Sequence, residues 1–322
     1  KRCGVSPATV SRYFSGNATM SHGLSERIRQ VAEETGYRPS TKYQRRRVGG
    51  NGPIVTVTPY FKHRFQIDLL SELQHYADEL GRHMVVLRQH ESMHTQNCTS
   101  LIRNLNPVGI VLLHEGGDRA FLEFLNPPAI PMVFCSGQSM TQRIPSVHID
   151  DLTAAYDGAN YLIRKGHKHI VLISDQAEAI GSGSKRIMGC KKAFADAALQ
   201  LPDNHIAHAW YSFADGYRAM TELLGRGLTF SAVFAFSDEM AAGALAALKD
   251  QQIRVPEDVS VLGFDNGSQA VEIRPQLTSV GQPLEQIARR SIDIILSGAG
   301  GSELASIILP HTIIERDSCR NL

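Results

Sequence analysis

Residues 6–12 read Ser6, Pro7, Ala8, Thr9, Val10, Ser11, Arg12. A serine oxygen followed by proline is a strong helix start: the hydroxyl caps a free N–H, and the proline has none to satisfy. The helix that follows carries short polar groups and one long cation in its first turns. Small side chains at Pro7, Ala8 and Thr9 let its N-terminus approach a surface closely, and its dipole favours phosphate there. That is chemistry for reading a nucleic acid. A small helical oligomerisation cap is the alternative reading of the same residues.

No comparable signal for catalysis is present. His63, His90, His94 and His114 are scattered without HExxH spacing, so no metal site is expected. "GSGSKR" (181–186) lacks the GxxxxGK[ST] spacing of a phosphate loop and reads as a flexible turn, with at most a weak anion site at the helix start. No GxGxxG follows the first strand, and no nucleophile–base pair stands out. An enzyme is disfavoured, and no cofactor is expected.

Charge is distributed to match the first reading. Residues 1–50 hold ten lysines and arginines against three acids, +7, whereas the remainder holds 23 bases against 29 acids, −6. A basic head on a mildly acidic body is the pattern of a chain in which only the head meets a polyanion. The five cysteines form no CxxC pair, which suits a reducing cytoplasm better than a disulfide framework. No apolar run reaches membrane-spanning length, and Lys1-Arg2 precede polar residues, so neither a membrane segment nor a signal peptide is expected.

Three regions must position these residues. Residues 1–36 read as short helices, the second over about 22–35, capped by Ser21 and with Leu24, Ile28, Val31 and Ala32 on one face. Residues 37–52, "YRPSTKYQRRRVGGNG", read as a basic linker. From residue 53 the pattern alternates. Apolar runs at 54–58, 83–87, 109–113, 131–135, 169–173, 231–236 and 259–264 predict buried strands. Amphipathic stretches at 66–81, 151–165, 185–199, 213–225 and 238–251 predict crossover helices. The expected class is α/β: a helix-turn-helix head and a body of two doubly wound parallel-sheet subdomains.

The head, "GVSPATVSRYFSG" through "RIRQVAEETGYRPS", resembles the DNA-binding head of the LacI/GalR family of bacterial repressors. "HIDDLTAAYDGANYLIRKGHKHIVLIS", "FAFSDEMAAGALAALKDQQIRVPEDVSVLGFDN", "LTSVGQP" and "TIIERDS" extend the resemblance along the chain. It implies a recognition helix in the major groove, with Pro7, Ala8, Ser11 and Arg12 towards the bases. Ser6, Thr9, Ser15, Thr19 and Ser21 are then placed for phosphate or capping contacts. Small residues at 7 and 8 offer few hydrogen bonds, so Arg12 carries much of the expected readout. Two departures matter. Only Lys1-Arg2-Cys3 stand where the family has most of its first helix, so the chain is expected to be incomplete there. The family's hinge leucine is lost: the matching positions are Tyr43 and Arg46, flanked by Arg45 and Arg47. Either the arginines use the minor groove's negative potential or Val48 or Tyr43 supplies an apolar wedge; an unstructured basic linker is the alternative.

The resemblance also implies a body like a periplasmic sugar-binding protein, with an effector in the cleft between subdomains. The division expected is 53–160 with 281–308, and 161–280 with 309–322. By motif, Tyr60 and Phe61, Asp150, Arg186, Tyr211, Asp238 and Asp265 reach the cleft. Carboxylates accept from hydroxyls, a guanidinium donates, and an aromatic covers a C–H face, a set that suits a sugar or sugar derivative. Asp150 and Asp238 have helix capping as an alternative, and Arg186 and Asp265 have mutual bracing. The expected protein is a repressor of carbohydrate utilisation that binds a pseudo-palindromic operator as a homodimer. The chain ends soon after "TIIERDS" with no leucine heptads, so no tetramer is expected. The rival is a periplasmic-type solute-binding protein without DNA binding.

Overall fold

The computed structural model describes residues 52–58, 63–88, 95–113, 130–137, 144–175, 181–297 and 306–322, with Thr9, Gly23, Leu24, Arg27, Ile28 and Val31 from the head. All six head residues are helical. Ile28 is buried, Leu24 and Val31 are half-buried, and Gly23 and Arg27 are exposed, in line with the apolar face read from the sequence. Ser6, Pro7, Ala8, Ser11, Arg12, Ser15, Thr19, Ser21, Tyr43, Arg46, Tyr60 and Phe61 lie outside the described residues.

The body begins with β1 (Ile54–Thr58), α1 (Arg64–Glu79), β2 (Met84–Arg88), α2 (Thr95–Leu105), β3 (Gly109–Leu112), β4 (Met132–Cys135) and β5 (Ser146–Ile149). There follow α3 (Asp151–Arg164), β6 (Ile170–Ser174), α4 (Ser182–Asp196), β7 (Ile206–His208), α5 (Phe213–Gly225), β8 (Ala232–Ala235) and α6 (Asp238–Asp250). The rest comprises β9 (Ser260–Asp265), α7 (Gln269–Glu272), β10 (Thr278–Gly281), α8 (Leu284–Leu296), β11 (Ile307–Leu309) and β12 (Thr312–Ile314). Every predicted strand is present within a residue or two. Strands β5, β7, β10, β11 and β12 and helices α2, α7 and α8 escaped prediction.

The strands form two sheets, β2-β1-β3-β4-β5-β11 and β7-β6-β8-β9-β10-β12. The first is parallel throughout. The second is parallel except for β12, which runs antiparallel to β10. Both reverse strand order beside their first strand, which is the doubly wound arrangement and puts a crevice at the carboxyl ends of the strands. The runs "IVTVT" and "IVLIS" are buried along their whole length, as strands covered by helices on both faces must be.

The chain passes between the sheets at Asp150, at Gln282-Pro283 and at Pro310-His311. Helix α3 belongs wholly to the second core: Ala154, Ala155, Ala159 and Leu162 pack with Phe234 and Val280. The first passage therefore comes at Asp150, earlier than the division expected near 160. Helix α8 returns to the first core through Ile287, Ile292 and Ile295. The turn read into "GSGSKR" is instead the first turn of α4, where Ser184 Oγ donates to the Gly181 carbonyl. At Gly189 a Cβ would strike the Leu152 carbonyl, so glycine is what lets α3 and α4 pack backbone to backbone.

Candidate functional site

A cavity of about 340 Å³ lies between the two sheets. Its floor is made by strand ends: Leu113 after β3, Cys135 and Ser136 at β4, Asp175 after β6, Ser237 and Asp238 after β8, and Asp265 at the end of β9. One wall is the start of α1, with His63, Arg64, Phe65, Gln66 and Asp68. Trp210 and Tyr211 form an aromatic edge, and Trp210 is half exposed. Ser136, Tyr211 and Asp265 have positive φ of 66°, 46° and 104°. Non-glycine backbone of this kind is costly and persists where the surroundings dictate it, often at ligand sites.

Arg186 sits on the second turn of α4 and is almost wholly buried. Its Nε donates to Asp151 Oδ1 at 2.9 Å, and Nη2 lies 2.8 Å from the same oxygen. Nη1 donates to the Phe236 carbonyl at 2.6 Å, and the guanidinium stacks 3.6 Å from the Phe264 ring centroid. Burial disfavours its charge, but Asp151, with Tyr211 and Asp265, more than offsets this and raises its pKa. Asp265 accepts from Gln282 Nε2 at 2.9 Å. Burial pushes its carboxyl well up; Arg186 opposes and Asp238 adds to the rise. Asp238 accepts from Ser279 Oγ at 2.6 Å and from Gly267 N at 2.8 Å. Burial raises it to about 7 despite those donors. The cap of α6 is Ser237, whose side chain accepts from Met240 N, so Asp238 is free of the capping role considered for it.

Tyr211 Oη donates to Asp175 Oδ2 at 3.0 Å and lies 3.2 Å from Ser182 Oγ. A Cβ on Gly183 would fall on the Asp175 carboxylate, which is how that group reaches the N-terminus of α4. Asp150 does not line the cavity. It caps α3, accepting from Leu152 N, Thr153 N and Thr153 Oγ1. The structure thus brings Arg186, Tyr211, Asp238 and Asp265 together and leaves Asp150 outside. It adds Asp151, Asp175, Trp210, Gln282 and the start of α1. Asp175 ends an apolar strand and Trp210 precedes Tyr211, signals that a strand-end reading would have caught. Asp151 was hidden beside Asp150.

Contacts from α1 close the cavity against the second subdomain. His63 Nδ1 lies 3.2 Å from the Tyr211 carbonyl, and Arg64 N donates to Glu239 Oε2 at 3.1 Å. Arg64 Nε donates to Ser268 Oγ at 2.9 Å, Nη2 to Glu272 Oε1 at 3.3 Å, and Asp68 accepts from Ser268 N at 3.1 Å. The arrangement is one for holding a donor-rich ligand between two bodies. The one thiol at the wall among the described residues, Cys135, is buried and pushed up to about 12, far from a thiolate nucleophile.

Residues 1–40 match the bacterial regulatory proteins of the lacI family, and residues 159–319 the periplasmic binding protein-like domain. The HTH-type transcriptional repressor CytR of Escherichia coli strain K12 is 31% identical over 99% of this chain and 94% of its own length. Catabolite control protein A of Priestia megaterium is 28% identical over 99% of this chain and 97% of its own. A solved complex of the transcriptional regulator CelR with cellobiose aligns over 98% of this chain and 97% of that one, at 25% identity and a TM-score of 0.73. These relatives are regulators, not enzymes. No helix among the described residues is long and apolar enough to cross a membrane. With a matching head, a two-sheet body around a cleft and a repressor aligned nearly end to end, the chain belongs to the lacI family of bacterial regulatory proteins, DNA-binding regulators of transcription.

Proposed function

We propose that this chain is a cytoplasmic repressor of a carbohydrate-utilisation operon, controlled by a sugar or sugar derivative in the cleft. The observation that carries the reading is the cavity itself. It is roofed by two subdomains, edged by aromatics and floored by carboxylates and one buried guanidinium, as recognition of a polyol requires. The cellobiose in the CelR complex supports a saccharide.

In this reading residues 1–36 form the head, 37–52 the hinge and 53–322 the body. The body pairs as a homodimer so that two heads meet a pseudo-palindromic operator. Exposed Ile67 on α1 and Leu101 on α2, beside the edge strand β2, supply apolar surface for that pairing. Arg12 reads a base, Ser6, Thr9, Ser15, Thr19 and Ser21 serve phosphates or caps, and Tyr43 and Arg46 meet the minor groove. In the cleft, Arg186, Asp265, Asp238 and Tyr211 contact the effector, together with Tyr60 and Phe61. Binding favours closure of α1 on the second subdomain, and that differential affinity shifts the hinge.

The test is a thermal-shift screen of sugars, because a cleft ligand stabilises by mass action, followed by titration of each hit against operator-bound protein. A hit that changes operator affinity supports the reading. Operator binding that no cleft ligand affects overturns it. Failure to bind any DNA, with tight sugar binding, would favour the solute-binding alternative.

A further inference from the structure

Among the described residues the cavity is short of positive charge. Five carboxyl groups line it among the described residues, from Asp68, Asp175, Asp238, Glu239 and Asp265, against two guanidiniums, Arg64 and Arg186. Both guanidiniums are already ion-paired: Arg64 lies 3.5 Å from Asp68 and 3.3 Å from Glu272, and Arg186 lies 2.8 Å from Asp151. Among the described residues no lysine lines the wall. From the described residues, a phosphate or carboxylate entering this space would meet net negative charge and no uncommitted cation, in surroundings where an unpaired buried charge is costly.

The open hydrogen-bonding capacity points the same way. Both oxygens of Asp238 and both of Asp175 accept from protein donors. Asp265 is only 7% exposed, yet Gln282 on Oδ1 is its one hydrogen-bond donor among the described residues. Its Oδ2 is left as an acceptor at the cavity wall. Gln66 Oε1 is a second buried acceptor without a donor among the described residues. Phe65, Trp210 and Tyr211 present ring surface beside these groups. An ammonium is the group that both fills an anionic acceptor site and is attracted to aromatic faces.

On the reading that the cleft is the effector site, we propose that the effector is a polyhydroxylated molecule carrying a protonated amine. The ammonium sits on Asp265, and the cleft rejects phosphorylated forms of the same skeleton. Arg186 keeps two of its five N–H groups for the ligand's hydroxyl oxygens, since Asp151 takes two and Phe236 one. In the empty cleft burial favours the protonated carboxyl of Asp265; Arg186 opposes this, while Asp238 and Asp151 reinforce it. An arriving ammonium stabilises the ionised form, so amine binding releases a proton and strengthens with rising pH as long as the amine itself stays protonated.

The test uses the full chain and its single tryptophan, Trp210, as a fluorescent reporter at the cavity edge. Glucosamine, galactosamine and mannosamine are each titrated beside the neutral hexose and its 6-phosphate. We expect at least one amine to bind tenfold or more tightly than its parent, and every phosphate to bind more weakly than its parent. In Asp265→Asn, which keeps an acceptor for Gln282, the preference of that amine over its neutral parent should be lost. A phosphate that binds as well as its hexose overturns the proposal. So does a set in which no amine exceeds its parent, silence included. Operator titration in parallel separates the two readings: an amine preference with no effect on operator affinity defeats the effector role and leaves the charge preference standing.

Discussion

Arg186 is paired with Asp151, not with Asp265. Its Nη2 lies 2.8 Å from Asp151 Oδ1, and both side chains are largely buried. Asp265 is left with the Gln282 amide as its donor. The mutual brace considered from the sequence is replaced by one that ties α4 to α3 and leaves Asp265 open to the cavity.

The two residues therefore separate in mutants. Arg186→Ala abandons Asp151 in a buried place and should cost about 3–5 kcal/mol of stability, the usual range for breaking a buried pair from one side. Asp265→Asn keeps the Gln282 contact and should cost under about 1 kcal/mol. Both should lose effector response. Urea unfolding beside effector titration checks this, and an Arg186→Ala protein as stable as the parent would refute the brace.

The raised carboxyl of Asp238 makes stability depend on pH. Its folded pKa is about 7, against about 3.9 for an unperturbed aspartate. Below about pH 4 it is protonated in both states and its contribution is fully present. Between about 4 and 7 the unfolded chain gives up the proton first, so stability falls as pH rises, and above about 7 the dependence ends. Asp238→Asn should remove this slope, measured as the difference in melting temperature between mutant and parent across pH 4–8. An unchanged slope would count against a buried, protonated Asp238.

Asp150 accepts three hydrogen bonds at the start of α3 and does not line the cavity. Asp150→Ala should cost about 1 kcal/mol, the typical loss of an N-cap. Effector affinity should not change. A tenfold loss of affinity in a stable Asp150→Ala protein would return this residue to the ligand site.

Arg64 and Asp68 join α1 to Ser268 and Glu272 across the cavity mouth. Arg64 is 45% exposed, so its ion pairs are screened and worth at most about 1 kcal/mol. Arg64→Ala should weaken effector binding by no more than about fivefold, an effect that shrinks at high salt. X-ray scattering of the ligand-free mutant should show a more open body. A loss of a hundredfold would make Arg64 a ligand contact.

Arg12→Ala should cost about 1–3 kcal/mol on the specific operator and relax preference at one base pair. Gel-shift titration on a set of single-base operator variants reads this directly. Equal weakening on every sequence would assign Arg12 to a phosphate.

What was legible in the sequence is what local rules govern. The runs at 54–58 and 169–173 read as strands because parallel strands buried on both faces are apolar throughout. The basic head was legible because charge is counted, not folded. Strands β5 and β10 were not legible: "SVHI" and "TSVG" are half polar, and they are buried because their polar groups find distant partners. Ser146 meets Ser306, and Ser279 meets Asp238.

Only the tertiary structure decided which charges meet. Asp150 and Asp151 are neighbours with one composition, yet the first caps α3 and the second holds Arg186 from another helix. Sequence motifs placed Arg186 and Asp265 at one cleft, but pairing depends on separations of a few ångströms between Arg186 and carboxylates 35 and 79 residues away along the chain. Such distances are set by how α3 packs on α4 through Gly189 and how the chain passes between sheets at Gln282. The sequence by itself determined the doubly wound body, the basic head and the residues that gather at the strand ends. The packing of one layer on another determined that Arg186 is neutralised by Asp151 before any ligand arrives.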